Sequence, residues 1–244
     1  CRVMSLLVKI FVDNNSFNEV FSFLKGLRLS IFDLLIHLRN NFIHNYSSLD
    51  NLIDSFIEGS KKPLYKDFNY LKDYLTKEKV EKYISGEIGG NELLNHKAWA
   101  YVNCSDDLHS CLEKSILSYL EINGLSTEEN RRYVQDAIRF NQLRRLDLSD
   151  TKGVKEGQFS FNFIKTQEIE GQLPIEMNSK DVEVQFFYDE IGRQRVQGLL
   201  SSWGTHSLPS LGKLYQKANL NVLNRRVRFK EANMTPSSEV ALNI

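Results

Sequence analysis

The sequence predicts a mainly α protein: an N-terminal multi-helix array over residues 1–148, a small α+β domain over 149–230, and a flexible tail over 231–244. Three observations predict it. Apolar residues recur at three- and four-residue spacing, almost without a break, to about residue 146. Phe159, Phe161 and Phe163 then alternate with polar residues, as do Val182, Val184 and Phe186, the period of a half-buried strand. The 244 residues are 41% hydrophobic and 25% charged, a composition that excludes a disordered chain and supports a packed core.

Val3, Leu6, Leu7, Ile10 and Phe11 are spaced like the buried face of a first helix. Ser16 with Glu19 forms a capping-box pattern for a second helix, which stops near Gly26. Ser30 with Asp33 opens Ile31–Phe42, whose apolar set Ile31, Leu34, Leu35, Leu38 and Phe42 shares one face. Ser48 opens a helix through Leu49, Leu52, Ile53 and Phe56 to Gly59, and Lys61-Lys62-Pro63 breaks the chain. Two amphipathic charged segments follow at 65–75 and 77–84, and Gly86, Gly89 and Gly90 mark a joint. Helical spacing resumes from Asn91 to about Tyr101. A long helix spans 105–122 and closes at the C-cap pair Asn123-Gly124. Ser126 with Glu129 starts the next, through Val134, Ile138 and Leu143.

Beyond Leu148 the two alternating strands flank a polar stretch that contains Pro174. Helices are predicted from Tyr188 to Trp203 and over 208–217, then a last strand through Val222, Leu223 and Val227.

Charge and cysteine content narrow the functional classes. The 31 basic residues balance 31 acidic ones, which excludes a chain whose whole surface clamps nucleic acid; nucleic acid is not an expected partner. Three cysteines make no disulfide framework, so a reducing, cytoplasmic compartment is expected. The longest apolar runs fall far short of the ~20 residues that span a bilayer. Cys1 in place of an initiating Met is read as a cut end.

Candidate chemistry is sparse. Cys104, His109 and Cys111 lie within eight residues, but the cysteines are two helical turns apart, which favours core residues over a metal site. The Gly86–Gly90 segment lacks both a preceding strand and a Gly-Lys-Ser/Thr, so it reads as a joint between helices and no phosphate cradle. Arg225, Arg226 and Arg228 crowd the last strand with no acid nearby in sequence until Glu231, and are the anion-binding candidates. A second basic group, Arg131, Arg132, Arg139, Arg144 and Arg145, has acidic neighbours to neutralise it.

The segment Arg39-Asn40-Asn41-Phe42-Ile43-His44 resembles the R-x₄₋₆-H signature of HEPN ribonucleases. That resemblance implies metal-independent RNA cleavage, with Arg39 on a phosphate oxygen and His44 as acid and base. It covers under ten residues, and the bland reading of the same segment is a solvated helix end.

A broader likeness covers residues 1 to about 230. The stretches Phe17–Asn41, Ser85–Tyr101, Phe186–Trp203 with Gly204, and Leu211–Arg226 are similar to the C-terminal region of cobalamin-binding-type radical SAM proteins. The resemblance implies an upstream barrel with a three-cysteine cluster loop and an upstream B12-binding domain as partners in one polypeptide. It further implies S-adenosylmethionine and a 4Fe-4S cluster as cofactors of that whole, with cobalamin left open and none of the three bound by this chain. This region would then be a non-catalytic accessory that covers the barrel or shapes substrate access. The alternatives are the ribonuclease using Arg39 and His44, and an α-helical protein-interaction module.

Overall fold

The computed structural model describes residues 1–13, 16–61, 67–85, 88, 90–148, 150–164, 177–203, 207–218 and 223–230. It is mainly α with one small antiparallel sheet. Helix α1 (Arg2–Leu7) runs on into a π turn at Val8–Val12. Helices α2 (Asn18–Gly26) and α3 (Ile31–Asn41) follow, then a 3₁₀ turn at Ile43–Asn45 and α4 (Ser47–Lys61). Next come α5 (Phe68–Tyr74), α6 (Lys77–Ser85), α7 (Glu92–Asn103), α8 (Ser105–Ile122) and α9 (Glu128–Arg144). Strands β1 (Lys155–Phe161) and β2 (Met177–Phe187) are followed by α10 (Glu190–Trp203), α11 (Leu208–Lys217) and β3 (Arg226–Phe229). The predicted tail 231–244, the Pro174 stretch and the Lys62-Pro63 break lie outside the described residues.

Side-chain caps fix where several helices start. Ser30 Oγ accepts from Asp33 N at 3.2 Å, and Asn91 Oδ1 accepts from Leu94 N at 3.2 Å, each satisfying one orphan donor of a first turn. Gly90, at φ +106°, supplies the left-handed residue that turns the chain into the Asn91 cap. Two expected caps move. Helix α9 is capped by Thr127, whose Oγ1 accepts from Asn130 N at 3.2 Å, and Ser126 stands outside it. Ser16 does not cap α2: its hydroxyl donates to Asp13 O at 2.7 Å, and α2 begins beyond Phe17 without a side-chain cap. Glu19, the expected partner in that box, is instead buried against Arg144, at 3.3 Å.

The sheet has the order β1-β2-β3, with every pairing antiparallel. The register shifts between Phe159 and Phe161, where two steps along β1 oppose five along β2, so the extra residues lie on β2, and β1 ends at Phe161, before Phe163. All three rings are still buried. Phe140 of α9 lies 5.5 Å from Phe159 and 5.3 Å from Phe163, and Tyr133 meets Phe161 edge-on at 4.9 Å. The last strand is shorter than predicted: Leu223 is buried ahead of it, and β3 pairs only Arg226–Phe229 with β2.

The change in secondary structure near residue 148 is real, but the core runs across it. One buried cluster extends from Leu6 to Leu223. The sheet packs on α9, and α11 packs on α7 along its length. Gly212 allows that close approach, because a Cβ there would overlap Asn95 Oδ1 and lie 3.1 Å from the Asn95 Cα.

Buried cations tie the start of the chain to this core. Lys97 Nζ donates to Asp13 O at 3.0 Å and lies 3.3 Å from its carboxylate. Asn141 Nδ2 donates to Ser16 O at 2.9 Å, and Arg145 Nη2 donates to the same carbonyl. The Arg145 guanidinium also lies 4.6 Å from the Tyr101 ring centroid.

Candidate functional site

Arg39 sits in the exposed last turn of α3, and His44 follows in the 3₁₀ turn. His44 Nδ1 is 2.6 Å from Asp50 Oδ1 on α4, and the imidazole side chain is 67% exposed. The aspartate thus orients one ring nitrogen and leaves Nε2 to face outward chemistry, the arrangement of a base held by a carboxylate. Asn45 and Asn41 brace the turn by donating to the Asn41 and His37 carbonyls, at 3.2 and 3.0 Å.

The arginine cluster of the last strand does not form the expected anion site. Arg225 points into the protein, with a side chain 0% exposed. Its Nη1 donates to Arg145 O at 2.6 Å and its Nη2 to Asp150 O at 2.6 Å, so it serves as a clasp between the end of α9 and the loop after it. Arg226 pairs with Asp189 at 2.7 Å. Arg228 reaches Gln185 at 3.0 Å and stacks over Phe187, 4.5 Å from the ring centroid. Acids distant in sequence supply the balance: the neighbouring Lys230 is 2.7 Å from Glu156 and 3.4 Å from Glu183.

Cys104, Cys111 and His109 are core residues. Burial pushes the Cys111 thiol up to about 12, the opposite of what a metal-binding thiolate needs. His109 lies between Ser105 O at 2.6 Å and Asn141 Oδ1 at 3.3 Å, and burial lowers it to about 4. Among the described residues, no group of three or more His, Cys, Asp or Glu side chains is placed to hold a metal ion.

Two of the hollows lined by polar side chains lie beside groups of interest. The larger, about 700 Å³, opens where α7, α8, the end of α9 and β1 meet, with Asp106, Asp107, Arg139, Asp147 and Lys155 on its walls. Its charges are largely paired: Lys155 to Asp147 at 2.7 Å, and Asp106 to Gln142 at 2.8 Å. The smaller, about 400 Å³, lies between α4, α7 and α11, where Ser55 and Trp99 face the first turn of α11. There Ser55 Oγ is 3.4 Å from His96 Nε2, and His96 Nδ1 is 2.8 Å from Glu92 O. Sequence reasoning missed this group. Its one signal was the four-residue Glu92–His96 spacing, and Ser55 joins it only through tertiary packing.

Helices α5 and α6 contribute no buried side chain among the described residues. Phe68 is 76% exposed and Ile84 81%. Tyr101, by contrast, is buried, and Tyr65 lies outside the described residues.

Comparison with protein-family models, with curated proteins and with solved structures finds no match. No helix among the described residues is long and apolar enough to cross a membrane.

Proposed function

We propose that this chain is an accessory region, non-catalytic in the reaction of the protein it covers, that seats on another protein surface through the α5–α6 arm. Following the sequence resemblance, that surface is the barrel of a cytoplasmic radical SAM protein. The observation that carries the reading is the arm itself. A helix pair that buries none of its own side chains, yet displays Phe68 and Ile84, gains stability by being covered. The cofactors implied by the resemblance belong to the covered part. Cys104 and Cys111 do not fit an iron–sulfur cluster, since both are buried thiols held protonated. Its contribution is to position and shield.

The test is to read the coding sequence upstream of Cys1 and to express the chain together with it. A C-x₃-C-x₂-C segment upstream, and slower amide exchange across 68–84 in the longer protein than in the 244-residue chain, are expected. An upstream sequence without that segment, or an arm that exchanges equally in both, overturns the reading.

The His44–Asp50 pair favours a second reading, a ribonuclease. Asp50 would hold His44 Nδ1–H while Nε2 takes a proton from a ribose hydroxyl, and Arg39 would balance the phosphate charge. Purified chain should then cut single-stranded RNA without metal, and His44→Ala should lose about 10²-fold or more of that rate. Intact RNA after incubation with wild-type chain removes this reading.

A further inference from the structure

We infer that Ser55, His96 and Glu92 form an acyl-transfer site for small uncharged esters in the pocket between α4, α7 and α11. Neither reading above uses these residues. Glu92 and His96 stand one turn apart on α7 and therefore share a face. Ser55 arrives from α4, which packs against α7. One turn on from Ser55, Gly59 leaves room for the Glu92 carboxylate, whose Oε2 would be only 3.1 Å from a Cβ there.

Each group has the environment its role needs. His96 has a side chain 1% exposed, held edge-on against the Phe56 ring at 5.3 Å. Its Nδ1 faces two acceptors, the Glu92 carbonyl at 2.8 Å and the Glu92 carboxylate at 3.4 Å. Nδ1 is therefore the protonated nitrogen, an assignment that rests on these partners, and Nε2 presents a lone pair to Ser55 Oγ at 3.4 Å. That distance is long for a hydrogen bond and within the range of a ligand-free nucleophile–base pair. Ser55 itself is exposed and lines the pocket, so substrate reaches the nucleophile while the base stays shielded.

The pocket selects the ligand class. Among the described residues its walls carry Leu52, Trp99 and Leu208, with Asn51 and serine hydroxyls, and no charged side chain. A volume of about 400 Å³ fits a short acyl chain and its alcohol. The first turn of α11 lines the same space through Ser207 and Leu208.

The reaction balances without a cofactor. Ser55 Oγ bonds to the ester carbonyl carbon as its proton passes to His96 Nε2. The carbon–alkoxy bond then breaks, and the departing alcohol takes that proton. Water adds to the acyl-Ser55 carbonyl by the same route, releasing a carboxylic acid and restoring the serine.

The purified 244-residue chain is tested with p-nitrophenyl acetate and a fluorophosphonate probe. Wild type should hydrolyse the ester and take up the probe on Ser55, as seen by peptide mass. Ser55→Ala, at an exposed position, should keep its circular dichroism, lose labelling, and lose about 10²-fold of the catalysed rate. Glu92 is a positioning residue, so Glu92→Gln should lower kcat for p-nitrophenyl acetate about 10-fold with KM unchanged. The proposal is overturned by label absent from Ser55, by hydrolysis that is no faster in wild type than in Ser55→Ala, or by a Glu92→Gln kcat equal to that of wild type.

Discussion

Lys97 and Arg225 are long basic side chains drawn inside, and each does its work on backbone carbonyls. Burial lowers Lys97 from the ordinary 10.5 to about 8, against the opposing pull of Asp13. Between these two values the unfolded chain binds the extra proton, so stability rises as pH climbs from about 8 to about 10.5. The full shift amounts to about 3 kcal/mol. Lys97→Met should flatten that alkaline rise, as read from urea midpoints at pH 7.5 and 10 for variant and wild type. Arg225→Ala leaves the Arg145 and Asp150 carbonyls without their donor and should cost about 2–4 kcal/mol in the same assay. Neither role was legible. Arg225-Arg226-Val227-Arg228 reads as a surface basic run, because the carbonyls that receive Arg225 leave no trace in residue types. The Ser55–His96 contact was hidden for a different reason: it joins residues 41 apart on two helices.

Helices were legible wherever an apolar stripe and a capping side chain coincided. The helices opened by Ser30 and Asn91 emerged as the spacing predicted, because local propensity and burial agree there, and the 105–122 helix emerged from its apolar stripe alone, without a side-chain cap. Caps failed where two candidates stood side by side or where the hydroxyl had a better partner. Thr127→Ala should cost about 1 kcal/mol of stability, while Ser126→Ala should leave the denaturation midpoint unchanged; equal losses would return the cap to Ser126. In the sheet, the alternation of Phe159, Phe161 and Phe163 correctly marked buried rings but not the strand's end. The register is shifted there by extra residues on β2, and the spacing within β1 carries no sign of a bulge on its partner.

Across the whole molecule, the boundary near residue 148 separates kinds of secondary structure, while α7 and α11 hold the two parts together. Gly212→Ala places a methyl group on Asn95 and should destabilise by about 1–3 kcal/mol. Because the core is shared, near-UV and far-UV circular dichroism should report one transition at one lowered midpoint; two separated transitions would show a C-terminal part that melts alone. The packing of α11 on α7 could not be read from sequence, since a glycine among polar helix residues signals only a weak helix.

The grip on the Asp13 and Ser16 carbonyls has a consequence for biosynthesis. Their partners lie 84 to 129 residues further along the chain. A ribosome releases the earlier helices first, so the Asp13 carbonyl is captured by Lys97 only once α7 has emerged, and the Ser16 carbonyl by Asn141 and Arg145 only at the end of α9. A nascent chain halted before Arg145 therefore carries an unfinished junction between α1 and α2. That stalled species, more than the completed protein, is the one that proteases and chaperones would meet.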